Sequence, residues 1–230
     1  MSAAPRKGTA VITGASRGIG RATARRLAAE WEIVAVARSA NELDSLRREI
    51  EEAGGDCSTV ELDVTDAAAV RRALSGIDAE VLVNNAGIGI MKPLLELTVD
   101  EWRSMVAVNL DAVFYVTRAL LPGMVQRGRG HIVNIGSLSG RGAFVGGTSY
   151  AATKHALVGF SESLMMEVRD SGVRVSLVMP GSVDTGFSSS KGDAGWKLSA
   201  SEVAEAVVYT LDQPANALVS RVELRPLRKS

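Results

Sequence analysis

Residues 10–20 read AVITGASRGIG, and the chain continues as RATARRLA through residue 28. Ala10 to Thr13 form a short apolar, β-branched run closed by Gly14, which predicts a strand. Glycines recur at Gly14, Gly18 and Gly20, and a helical stretch follows. Gly14 can make the tight turn, Gly18 can let backbone approach a pyrophosphate, and Gly20 can let the helix pack closely on the strand. Ser16, Arg17 and Ile19 complete the turn, and the helix N-terminus offers amide donors to an anion. The spacing is GxxxGxG, which departs from the GxGxxG fingerprint. The alternative is an ordinary glycine-rich βα turn; its place between the first strand and the first helix favours phosphate binding.

Outward from this turn the same alternation repeats. Strand-like runs are expected at Ile33 to Ala37, Ser58 to Leu62, Val81 to Val83, His131 to Ile135 and Val173 to Val178, with a seventh near Ala217 to Leu224. Helical stretches separate them, and strand, helix, strand implies parallel pairing through right-handed crossovers. The fold class is therefore α/β, a doubly wound parallel sheet of about seven strands with helices on both faces. Asp66 is expected to cap the helix after Thr65, while Gly54 with Gly55 and Gly172 end the helices begun near Asn41 and Ser149. No repeat or linker divides residues 1–230, so one domain is expected. Glycine also gathers at later strand ends, including Gly136, Gly140, Gly142, Gly146 and Gly147, the edge that holds the ligand in open parallel sheets.

Composition narrows the function classes. With 230 residues and 46% hydrophobic content the chain can build one sizeable core. Lys plus Arg equal Asp plus Glu at 26 each, so no global field draws it to nucleic acid or an anionic membrane. Cys57 is the only cysteine, which excludes an internal disulfide and a multi-cysteine metal site and fits a reducing cytoplasm. No metal site is expected. The N-terminus is poor material for a signal peptide. Met105 to Val125 is the most apolar long segment, but Asn109, Asp111 and Arg118 interrupt it, so a helix buried on several sides is expected and not a membrane span.

The second strand ends in Arg38 and Ser39, where folds that prefer NAD place a carboxylate for the ribose 2′-hydroxyl. Arg38 and Arg17 can instead hold a 2′-phosphate through charge-assisted hydrogen bonds, which favours NADP(H) over NAD(H); the alternative is two solvated surface arginines. Farther on, GTSYAATKH at residues 147–155 puts Tyr150 four positions before Lys154, side by side on a helix. A free phenol titrates near pH ~10, and a fixed cation beside it is expected to lower that value toward the range useful for proton transfer.

These segments together resemble the short-chain dehydrogenase/reductase family in its short, single-domain form, a Rossmann-type fold, and the match covers almost the whole length. TGASRGIG is similar to its glycine motif, Asp63 with Val64 to its adenine contact, and NNAG at residues 84–87 to the segment after its fourth strand. Asn109, Ser137, Tyr150 and Lys154 fall in the order of its catalytic tetrad, with thirteen residues from Ser137 to Tyr150. PGSVDT at residues 180–185 is similar to the loop flanking its nicotinamide, which assigns Pro180, Gly181, Val183 and Thr185 to the cofactor site.

The resemblance implies a role for each residue. Ser137 would stabilise the developing alkoxide, and Tyr150 would exchange a proton with the substrate oxygen. Lys154 would tune Tyr150 and hold the nicotinamide ribose, so both residues also belong to the cofactor site. Asn109 is costly inside an apolar helix unless hydrogen-bonded, and a backbone kink with bound water would satisfy it and complete a proton relay. Ser139 is an alternative hydroxyl, which the spacing to Tyr150 disfavours. Asn85, Ala86 and Gly87 would meet the cofactor ribose, whereas Asn84 would satisfy buried backbone groups. Asp63 has a second reading as a helix cap. His155 reads as structural or interfacial, and His131 has no evident partner.

The expected activity is NADP(H)-dependent reduction of a carbonyl, or the reverse oxidation. A noncatalytic NADP-binding sensor is the alternative from another class, and an isomerase or dehydratase using transient redox chemistry is a further enzyme reading. Expected partners are a small carbonyl or alcohol substrate and further copies of the chain, as a tetramer or dimer. Met91, Phe144, Phe187 and Trp196 suggest a partly apolar pocket, though they can equally be interface or core residues, and 187–198 reads as a short lid.

Overall fold

The computed structural model describes residues 6–187 and 195–228. In chain order it runs β1 Thr9–Thr13, α1 Gly18–Leu27, β2 Glu32–Ala37, α2 Ala40–Glu52, β3 Asp56–Glu61, α3 Ala67–Leu74 and β4 Ala79–Asn84. There follow α4 Val99–Val106, a π-helical turn Ala107–Asp111, α5 Ala112–Arg127, β5 Gly130–Ile135, α6 Thr148–Val168 and β6 Val173–Pro180. The short β7 Val183–Asp184 and β8 Leu198–Ser199, then α7 Ala200–Leu211 and β9 Arg221–Leu224, complete the set.

Seven parallel strands form one sheet in the order β3-β2-β1-β4-β5-β6-β9. The order reverses between β1 and β4, and ligands bind beyond the carboxyl ends of the strands at such a point. Alternation along the strands explains the two-sided core. Ala10, Ile12, Ile33 and Ala35 face α1, α2 and α7, while Val11, Val34, Val36 and Leu82 face α3, α5 and α6. The expected doubly wound α/β class is what the sheet shows, and each expected strand is present.

Local signals act as the sequence indicates. Asp66 Oδ1 accepts from Ala68 N and Ala69 N at 2.9 Å, capping α3. Gly172 closes the run after α6 in a left-handed conformation at φ 74°. The apolar run through Asn109 belongs to a helical stretch, 99–127, long and apolar enough to cross a membrane by length and composition. Met105, Val116, Leu120 and Met124 build one side of that stretch into the core, while Trp102, Phe114 and Val125 are exposed.

Two sequence expectations need correction. His131 does have a partner: its Nε2 lies 2.8 Å from Ser176 Oγ, which donates onward to Val219 O at 2.6 Å, so Nε2–H is the donor and Nδ1 has no partner among the described residues. Asn84 serves side chains instead of backbone. Its amide donates to Thr117 Oγ1 at 3.0 Å and to Asn134 Oδ1 at 2.9 Å, and Asn134 donates to Ser161 Oγ at 2.8 Å. That buried polar chain ties β4 and β5 to α5 and α6. The Asn109 side chain, which is costly in an apolar helix unless bonded, is held by protein groups, as its geometry below makes plain. The expected lid at 187–198 falls largely on residues 188–194, outside the described residues.

Candidate active site

A cleft of about 860 Å³ opens along the carboxyl edge of the strands. Its lining includes Gly14, Ser16, Arg17, Gly18 and Ile19 from the first turn, Arg38 after β2, and Asp63 with Val64 after β3. Asn85, Ala86 and Gly87 follow from β4, Ser137 from β5, Tyr150 and Lys154 from α6, and Pro180, Gly181, Val183 and Thr185 from β6 onward. Two expected residues stand behind the wall. Gly20 lets α1 approach β1, since a Cβ there would collide with the carbonyl oxygen of Gly14. Asn109 is buried at 1% exposure.

The glycine turn is held from below. Gly14 has φ 64°, a left-handed conformation that suits glycine. The Asn85 amide donates to Thr13 O at 2.9 Å and Gly14 O at 3.1 Å, so Asn85 orients the turn as well as lining the cleft. Thr13 Oγ1 in return accepts from Asn85 N at 3.0 Å and Ala86 N at 3.1 Å. This interlock of β1 with β4 was not legible in the sequence, because Thr13 reads there only as a β-branched strand end.

At the end of the cleft where the glycine turn faces the end of β2, Arg17 and Arg38 are exposed, and their side chains form no hydrogen bond or ion pair among the described residues. Ser39, the residue before α2, makes no side-chain capping bond and also lines the cleft. Asp63 Oδ1 accepts from Thr65 N at 2.9 Å and Thr65 Oγ1 at 2.8 Å, a local turn before α3, whose cap is Asp66 and not Asp63. The Thr65 bonds first, and the Arg38 charge more weakly, hold the Asp63 carboxyl below its usual range. Its second oxygen stays available to a donor.

The π-helical turn aims Asn109 at two other elements. Asn109 Oδ1 accepts from Ile88 N at 2.9 Å, and its Nδ2 donates to Ile88 O at 2.9 Å and to Thr153 Oγ1 at 3.1 Å. Thr153 Oγ1 donates to Tyr150 O at 2.9 Å, linking the kink to the first turn of α6. The kink is as expected; its direct protein partners, Ile88 and Thr153, were not foreseen.

Ser137, Tyr150 and Lys154 converge at the centre, at 8%, 9% and 6% exposure. Ser137 Oγ accepts from Ser139 N at 3.1 Å, so the alternative serine contributes its backbone. Lys154 Nζ donates to Ile135 O at 3.0 Å, which leaves donors of its ammonium free, and lies 5.8 Å from the Tyr150 ring centroid. Burial lowers the Lys154 pKa to about 8. The Tyr150 phenol is corrected in direction: burial raises it above the usual value, and the hydrogen bond with Ser137 only partly opposes this. Removing water from the phenolate outweighs the Ser137 hydrogen bond in the protein by itself.

The apolar mouth is partly as expected. Phe187 lines the cleft 6.0 Å from the Tyr150 ring, and Phe187 and Met91 crowd Gly89. Phe144 packs over Gly147 instead, and Trp196 is half-buried outside the described cleft lining.

The chain matches the family model described as short chain dehydrogenase over residues 8–195. It is 36% identical to the NADP-dependent 3-hydroxy acid dehydrogenase YdfG of Salmonella typhi, over 96% of this chain and 95% of that one. A serine dehydrogenase solved in closed form with NADP+ superposes with a TM-score of 0.86 at 33% identity, covering 94% of each chain. A metagenomic short-chain oxidoreductase solved with NADP gives 0.85 at 35% identity, covering 97% of this chain and 99% of that one.

Proposed function

The chain belongs to the short-chain dehydrogenase/reductase family, and from that membership we propose that it interconverts a small carbonyl and its alcohol with NADP(H), using Tyr150 as proton donor and acceptor. The observation that carries this reading is the convergence of Ser137, Tyr150 and Lys154 in one cleft with two unpartnered arginines. A noncatalytic cofactor sensor would need the arginines but not that convergence.

The cleft's residues fit a phosphorylated dinucleotide. Arg17 and Arg38 would hold the 2′-phosphate, the turn from Gly14 to Gly20 the pyrophosphate, and Asp63 with Val64 the adenine. Asn85, Ala86 and Gly87 would flank the ribose, while Pro180, Gly181, Val183 and Thr185 border the nicotinamide end. NADPH, when bound, supplies the hydride. Ser137 would donate a hydrogen bond to the substrate oxygen, and Tyr150 would deliver its proton there as negative charge builds. Lys154 keeps most of its charge at neutral pH, because its pKa of about 8 lies above it, and a cation here opposes accumulation of positive charge elsewhere in the site. Asn109 would act as a positioning residue, holding the π-helical turn against Ile88 and Thr153 so that the first turn of α6, and Tyr150 with it, stays in place.

Phe187, Met91 and Ile88 favour a substrate with an apolar substituent beside the carbonyl. The hydroxy acids and serine named for the relatives belong in the first panel, together with neutral ketones and aldehydes. Further copies of the chain would cover the exposed apolar side chains of α4, α5 and α6.

Cofactor choice is tested by binding NADPH and NADH to wild type and Arg38→Ala. The variant is expected to lose NADPH affinity roughly ten- to hundredfold, the range of a hydrogen bond to a charged group, with NADH unchanged. Equal loss of both cofactors would remove the phosphate role.

A further inference from the structure

We propose that Arg21 is a positioning residue for cofactor choice, bracing the glycine turn against α2 so that Arg17 and Arg38 stay aimed at one phosphate; this rests on the NADP(H) reading above. Its guanidinium reaches both sides. Nη1 donates to Ser16 O at 3.1 Å, beside Arg17, and to Glu42 O at 3.2 Å in the first turn of α2. Nη2 donates to Ser45 Oγ at 3.0 Å and to Glu49 Oε1 at 2.6 Å, one and two turns farther along α2. Among the described residues the three bonds to Glu42, Ser45 and Glu49 are the only side-chain hydrogen bonds between the segment 14–27 and α2, and Arg25 adds a longer ion pair to Glu49 at 3.7 Å.

The need for such a brace follows from charge. Arg17 and Arg38 face the same cleft as unpaired cations, and like charges drift apart unless their backbones are held. Arg38 and Ser39 lead directly into α2, so fixing the first turn of α2 against Ser16 fixes the separation of the two arginines. Arg21 itself does not compete for the phosphate. Glu49 balances its charge, and the Glu49 carboxyl is held below its usual range by that hydrogen bond first.

A second consequence concerns Glu42. Its residue lines the same cleft and carries a negative charge that a 2′-phosphate must avoid. Arg21 grips the Glu42 carbonyl, so loss of the brace loosens the arginine and the carboxylate together. A planar, five-donor group can span these four acceptors at once, and a lysine ammonium at this position cannot.

A double-mutant cycle of Arg21→Ala and Arg38→Ala tests this, with KM for NADPH and NADH, kcat and thermal midpoint measured for each form. Arg21→Ala is expected to raise KM for NADPH about five- to twentyfold, with NADH and kcat at saturating NADPH changed less than about twofold. On the Arg38→Ala background the same change should shrink below about twofold, because Arg21 acts through the clamp. Arg21→Lys should recover part of the loss. Glu49→Gln should show the same selectivity more weakly, and it serves if Arg21→Ala does not fold. An equal loss for both cofactors, or an undiminished effect without Arg38, would overturn the proposal. A selective Arg38→Ala beside an unselective Arg21→Ala would sink this inference alone; an unselective Arg38→Ala would sink the clamp and the inference with it.

Discussion

Burial pushes Lys154 and Tyr150 toward their neutral forms, the lysine down to about 8 and the phenol above its usual value. At neutral pH the protein by itself therefore holds a protonated phenol near a largely protonated amine, the arrangement that carbonyl reduction requires at its start. The sequence showed which residue types stand at which spacing. It did not show how far each is removed from water, because that depends on strands β5 and β6 and the π-helical turn closing around α6. His131 makes the same point outside the site. It reads as a lone strand histidine, yet Ser176 from β6 meets it, and burial lowers its pKa to about 3. Unfolded, the ring titrates near ~6.5, so between these values the unfolded chain binds more protons and stability falls as pH falls. Denaturant titrations should find wild type about 2 kcal/mol less stable at pH 5 than at pH 7 from this group, with His131→Gln showing a flatter profile. Parallel profiles would mean that another group controls the acid limb.

Helix ends were legible where glycine or aspartate marks them, as at Asp66 and Gly172. The π-helical turn was legible only as an expected kink, since nothing local to Ala107–Asp111 names Ile88 or Thr153 as partners of Asn109. The Arg21 brace was likewise invisible, because Ser45 and Glu49 are twenty-four and twenty-eight residues away and meet it only once β1 and β2 pair. Helices α4, α5 and α6 also carry apolar side chains outward, with Trp102 39%, Phe114 46%, Val125 41% and Met166 55% exposed. On the proposed reading such surface on core helices would be covered by further copies of the chain. Sedimentation velocity should give wild type a mass at least twice its 24.2 kDa chain, and Phe114→Glu a smaller one; a wild-type monomer would remove the interface.

Across the molecule, alternation of strand and helix places every group of the proposed chemistry on one edge of one sheet. The glycine turn leaves β1, Asp63 follows β3, Asn85 follows β4, Ser137 follows β5, and Pro180 ends β6. With equal numbers of cationic and anionic side chains, recognition must be local, and on the proposed reading the cleft would supply it through two exposed arginines at one end and a buried hydroxyl pair at the other. The architecture and the edge were legible because a parallel sheet leaves few alternatives once seven strands alternate with helices. Substrate identity was not, since the mouth is built from loop side chains whose companions are set by the fold. The central claim is that Tyr150 moves the proton while other groups hold the cofactor. Its most direct test measures NADPH turnover and NADPH binding together for wild type and Tyr150→Phe, with a carbonyl that wild type reduces. Turnover should fall by about two to four orders of magnitude with binding unchanged; turnover equal to wild type would contradict the account.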